Sequence, residues 1–177
     1  MLQGVHRHIR ISPYGLQAGE LGDYLADSDI VLDGGNSSIG IESTIIDCTR
    51  ESPLILRPGF ITESMINGIR KLGSQKKTRM NRVSGNFEKH YAPSARILMD
   101  VNPQPGQAFF AMSQYLTPVG VHRISSPSSV EQFAKELYKS MREADTRGYM
   151  DLVIQIPRDT ELTNAILDRV TKSAKGR

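Results

Sequence analysis

The 177-residue chain carries 22 Lys and Arg against 19 Asp and Glu, a net charge of +3, and 38% of its residues are hydrophobic. That apolar supply suits one medium globular domain or two small ones, and so small a positive excess argues against a nucleic-acid interface spread over the whole surface. No apolar run approaches the roughly 18 residues of a membrane-spanning helix and the first residues contain no apolar signal segment, so a soluble, cytoplasmic protein with no membrane partner is expected.

The opening stretch MLQGVHRHIRISPYG reads as irregular, with Ser12-Pro13 marking a turn. His6 and His8, beside Arg7 and Arg10, have no carboxylate or cysteine companion at metal-ligand spacing and read as solvated. Leu16, Leu21, Tyr24 and Leu25 then give a partly regular apolar face, which predicts a helix from about Leu16 to Ala26.

The stretch from Asp33 to Gly59, DGGNSSIGIESTIIDCTRESPLILRPG, is the most informative in the chain. Gly34 and Gly35 close the apolar run Ile30-Val31-Leu32, Ser43 and Thr44 open the run Ile45-Ile46, and Leu54-Ile55-Leu56 delivers Arg57 just before Pro58-Gly59 stops the strand. Two strands joined by a turn account for the pattern as ordinary hairpin chemistry. The alternative is that hydroxyls and a guanidinium meet at a phosphate-sized ligand, because arginine offers a planar fork of donors. Cys48, the single cysteine, excludes an internal disulfide and reads as a buried, inert thiol in an apolar-flanked strand.

Thr62 is placed to cap a helix carrying Met65, Ile66, Ile69 and Leu72 and ended by Gly73. A polar segment from Ser74 to about Ser94, with Lys76, Lys77, Arg79, Arg82 and Lys89, reads as an interdomain linker. From Arg96 a second rhythm begins. Ile97-Leu98-Met99, Ala108-Phe109-Phe110-Ala111 and Val119-Gly120-Val121 read as strands. Ser128 and Glu131 have capping-box spacing before a long helix stopped at Arg147-Gly148; Leu152-Val153-Ile154 with Ile156 reads as a central strand; Leu162, Ala165, Ile166 and Val170 mark a final helix. Strand, helix, strand, helix predicts an α/β layer on a parallel sheet, with no catalytic cluster in it.

The ordered strings DGG, GIESTIID and LILRPG, followed by His90-Tyr91-Ala92-Pro93, resemble the second half of the Sua5/YciO/YrdC family. The resemblance implies an α/β fold: the C-terminal part of a YrdC-like twisted-sheet domain over residues 1–73, an interdomain linker and lid over 74–95, and a small Rossmann-like Sua5 C-terminal domain over 96–177. It implies the activity of a nucleotidyltransferase, an L-threonylcarbamoyladenylate synthase, that converts threonine, bicarbonate and ATP to threonylcarbamoyl-AMP and pyrophosphate for tRNA threonylcarbamoyladenosine modification. Mg2+ would enter with ATP, and tRNA or tRNA-modification proteins would be partners. Carried over by motif, Ser12, Arg57 and Tyr91 contact ATP and Ser43 contacts L-threonine; no general base and no protein metal ligand is implied.

Three departures qualify the match. Tyr14 stands where the family's Ser-Pro-Thr segment has threonine, and Ser84-Gly85 lacks the proline of the usual Ser-Pro-Gly. The family's Lys-x-Arg and Thr-Ser-Ala-Asn segments, much of the ATP and threonine site, are not found in place; Lys77-Thr78-Arg79 lies in the linker and follows no strand. A chain without the N-terminal half of that domain is expected to be impaired. A noncatalytic nucleotide- or RNA-binding module built on Arg57 and the basic linker, or a fragment without independent function, are the alternatives.

Overall fold

The computed structural model describes residues 40–41, 43–49, 51–69, 92–158 and 160–175. The helix expected near Leu16, the basic run and the motif residues Ser12, His90 and Tyr91 lie outside the described residues.

The described chain opens with an antiparallel hairpin, β1 (Ile45–Asp47) and β2 (Leu54–Arg57), followed by a short helix, α1 (Glu63–Asn67). Thr62 is its N-cap as the sequence predicts, accepting from the Met65 amide at 3.4 Å, but the regular turns end at Asn67 with Gly68 as the C-cap. Four parallel strands follow: β3 (Arg96–Met99), β4 (Ala108–Phe110), β5 (His122–Ser125) and β6 (Asp151–Ile154), side by side in the order β3-β6-β4-β5. The long helix α2 (Val130–Thr146) joins β5 to β6, and α3 (Thr163–Lys175) follows β6. The α/β class with a parallel sheet is therefore what the molecule shows.

Burial follows from the apolar rhythm. The inner strands β4 and β6 are almost continuously apolar because both of their faces are covered, as parallel pairing demands. The edge strands open with Arg96 and His122, charged or polar ends that discourage pairing with a further strand. Alternate residues divide between the two faces. Ile97, Ala108, Phe110, Leu152 and Ile154 join Phe133, Leu137 and Met141 of α2 and Ile166 and Val170 of α3 in one core, so both helices pack on the same face. The Phe110 and Phe133 rings stack there, 4.2 Å between centroids. Phe109 and Val153, with Leu98, Ala111 and Val121, form a smaller cluster on the opposite face. Arg123 roofs it, its guanidinium 4.7 Å from the Phe109 ring while donating to the carbonyls of Ala111 and Met112, each at 2.8 Å. Burial pushes the Arg123 pKa down.

Three local expectations need correction. Val119-Gly120-Val121 is a turn and not a strand: Gly120 has a φ of +78°, its carbonyl accepts from Gly106 N at 2.7 Å, and Val119 is 94% exposed. The strand begins one residue later, at His122. The cap of α2 is Ser129, which accepts from Gln132 N at 3.1 Å, while Ser128 bonds the Gln132 side chain. Cys48 is exposed, because β1 ends at Asp47, whose carboxylate folds the chain into a turn by accepting from the Thr49 amide and hydroxyl.

Candidate functional site

The hairpin brings two of the four nominated residues into contact. A bulge between Ile45 and Ile46 pairs Ile45 with Arg57 but Ile46 with Ile55, leaving Leu56 as the extra residue. Such an insertion bends the strand and re-aims the next side chain. Arg57, beside that bulge, reaches past its partner Ile45 to Ser43. It is 7% exposed, and it donates from Nε (3.2 Å) and Nη2 (2.9 Å) to the Ser43 carbonyl and from Nη2 to Ser43 Oγ at 3.2 Å. Thr44 holds the next position by donating to the Ile61 carbonyl at 2.6 Å.

A buried guanidinium thus backs an exposed serine hydroxyl. A hydroxyl that accepts from a cation keeps its own proton to donate, so the pair presents positive charge and a hydrogen-bond donor to an anion at its mouth. That is the equipment for orienting a carboxylate or a phosphate. Ser12 and Tyr91 lie outside the described residues, and among the described residues no group of three or more His, Cys, Asp or Glu side chains is arranged to hold a metal ion.

The segment that leaves Arg57 is fastened to the α/β unit by residues that sequence reasoning did not single out. Arg169 of α3 is fully buried, pairs with Asp168, and donates from Nη2 to the Pro58 carbonyl at 3.0 Å. Glu161, just before α3, accepts from Thr62 Oγ1 at 2.7 Å and from Ser64 Oγ at 2.5 Å. Those bonds, Ser64 first and Thr62 second, hold the Glu161 carboxyl below its ordinary pKa. A cavity of about 250 Å³ lies beside this clasp, walled by Phe60, Met65, Val130 and Leu162 with Glu131 and Glu161 among its polar groups. Nearer the hairpin's start, Ile41 is 1% exposed in the main core and the Gly40 backbone lies against Lys135 of α2. One signal for Arg169 was readable: with Ala165, Ile166, Val170 and Ser173 it falls on the buried stripe of α3, where a charge demands a partner.

Residues 61–175 match the family described as the threonylcarbamoyl-AMP synthase C-terminal domain. The threonylcarbamoyl-AMP synthase of Pyrococcus abyssi is 27% identical over 175 residues, covering 86% of this chain and 51% of that protein. The Bacillus subtilis protein of the same name is 28% identical over 171 residues, covering 83% and 49%. A crystal structure of P. abyssi Sua5 complexed with L-threonine is similar with a TM-score of 0.63 at 25% identity, covering 82% of this chain and 49% of that one. The chain spans about half the length of these relatives. The match over most of its residues makes this chain a member of the Sua5 family, carrying that family's threonylcarbamoyl-AMP synthase C-terminal domain.

Proposed function

We propose that this chain supplies one wall of a threonylcarbamoyl-AMP synthase site together with the C-terminal domain that braces it. The observation that carries the reading is the contact between Arg57 and Ser43, the two nominated site residues among the described ones. In the proposed reaction the amine of L-threonine captures carbon dioxide as a carbamate with release of a proton, or bicarbonate with release of water. A carbamate oxygen then attacks the α-phosphate of MgATP, and pyrophosphate leaves with the bonding pair of the broken phosphoanhydride bond. Ser43 orients the threonine. Arg57 neutralises charge as it accumulates on the phosphate oxygens, a role that needs a fixed, dehydrated donor, and the guanidinium is 7% exposed. Ser12 and Tyr91 complete the ATP contacts, with the 74–95 segment closing over the nucleotide. Chemistry of this kind rests on positioning and charge neutralisation, so no general base is assigned. The product serves the threonylcarbamoyladenosine modification of tRNA in the cytoplasm.

Because the family's Lys-x-Arg and Thr-Ser-Ala-Asn segments are not in place in this sequence, the chain by itself is expected to turn over more slowly than its longer relatives. Pyrophosphate release that requires threonine, bicarbonate and MgATP together tests the reading. A rate equal to that of a full-length relative would refute the impairment. Silence from a chimera that joins the N-terminal half of the P. abyssi protein to this chain would sink the enzyme assignment.

A further inference from the structure

Arg169 is the largest fully buried side chain described, and it is charged. Burying an arginine is costly unless its donors are met, and replacing a buried ion pair with apolar side chains of similar volume is often neutral or stabilising for a fold. Arg169 is therefore hard to account for by packing alone. Asp168 has a second cationic partner in Lys172 at 2.9 Å, so Arg169 is not needed to neutralise it. Among the described residues, what Arg169 supplies beyond that ion pair is a donor to the Pro58 carbonyl, across 111 residues of sequence, one residue beyond Arg57. Pro58 and Gly59 form the stop after β2, so a bond to the Pro58 carbonyl fixes the Pro58–Gly59 peptide, the first one after the Arg57–Pro58 link by which the chain leaves the strand, and the proline ring restricts the φ between them. Glu161 holds Thr62 and Ser64 a few residues further on.

We infer that Arg169 is a positioning residue for Arg57: it locks the Pro58 peptide against α3 so that the Arg57 guanidinium stays aimed at Ser43. This deepens the synthase reading and rests on it for its functional meaning. The C-terminal domain would then act on the nucleotide site without touching nucleotide, by removing the freedom of the strand end that bears the phosphate-neutralising arginine.

The test follows the Arg57 Nε–H signal by NMR in the whole chain, identified by its disappearance in Arg57→Lys. In the wild type it should exchange slowly, bonded to the Ser43 carbonyl. In Arg169→Met the exchange should accelerate at least roughly tenfold, the equivalent of losing one charge-assisted hydrogen bond, while the Phe109 and Val153 amides keep their protection. Arg169→Lys retains a cation beside Asp168 but is too short for the Pro58 carbonyl, and should behave as Arg169→Met does. Unchanged Arg57 exchange in either folded variant overturns the inference. So does loss of the Phe109 and Val153 protection in both, which would make Arg169 a general core residue. A MgATP titration separates this from the functional reading. Roughly tenfold weaker binding in Arg169→Met supports the two together; equal binding in Arg169→Met and wild type overturns the coupling to the nucleotide site, and if the wild type by itself binds no MgATP the same comparison is made in the chimera with the P. abyssi N-terminal half, whose silence removes the synthase reading while the exchange result still decides the coupling.

Discussion

Arg57 is useful because it is held, and the way it is held sets what its replacement should do. Lysine would keep the charge but lose the planar fork that reaches both the carbonyl and the hydroxyl of Ser43. Arg57→Lys should therefore weaken MgATP binding about 10- to 100-fold, the loss expected for one or two charge-assisted bonds, as measured by calorimetric titration. An affinity within a factor of two of wild type would remove Arg57 from the site. Ser43→Ala should leave MgATP affinity nearly unchanged and raise the threonine requirement. Glu161 yields a prediction in pH. Its folded pKa lies below the unfolded value because Ser64 and Thr62 donate to the ionised form, so its stabilisation is fully present above the ordinary carboxylate range and is lost as pH falls through the folded pKa. Thermal unfolding of the wild type against Glu161→Gln should show a wild-type advantage at neutral pH that closes under acid conditions. A gap that stayed constant with pH would mean that Glu161 is not the titrating partner of the clasp.

Among the elements, α2 carries the clearest stability prediction. Phe133 is fully buried and stacked on Phe110, so Phe133→Ala should cost roughly 3–5 kcal/mol in urea unfolding. Val119→Asp should change stability by less than about 0.5 kcal/mol, because Val119 projects from a turn at 94% exposure; a large loss would restore the strand that the residue pattern predicted there. The contrast shows what the sequence could disclose. β4, β6 and α2 were legible because burial on both faces of a strand, or along one stripe of a helix, leaves an apolar rhythm in adjacent residues. Val119-Gly120-Val121 misled because two β-branched residues outweigh one glycine in a propensity reading, while the fold uses that glycine at positive φ. The motif resemblance nominated Arg57 and Ser43, each for a different ligand, but not the contact between them, since a bulge that re-aims a side chain leaves no mark in composition. The Arg169–Pro58 and Glu161–Thr62 contacts were not legible at all: their partners lie 111 and 99 residues apart.

At the scale of the whole molecule, the hairpin is docked on the α/β unit and not merely tethered to it. Gly40 shows how tight that docking is. A Cβ added there would lie 2.2 Å from the Lys135 Cα, at a φ of +70°. The left-handed backbone alone would cost a non-glycine residue about 1–2 kcal/mol, and the collision with helix backbone comes on top. Gly40→Ala should therefore expose Ile41 and the hairpin to protease while strands β3 to β6 with α2 and α3 remain resistant; equal resistance throughout would show that the docking tolerates a side chain. Among the described residues no helix is long and apolar enough to cross a membrane.

The long reach of the Arg169–Pro58 bond also bears on how the chain is made. Pro58 leaves the ribosome 111 residues ahead of Arg169, a wait of roughly 5–20 s at translation speeds of about 5–20 residues per second. For that interval the strand end bearing Arg57 has no α3 to rest on, and among the described residues its strand partner is β1, a pairing only marginally stable by itself in water. Newborn chains should therefore pass through a protease-sensitive stage that ends when α3 emerges, and the emergence of α3 sets the moment at which the site-bearing hairpin becomes fixed.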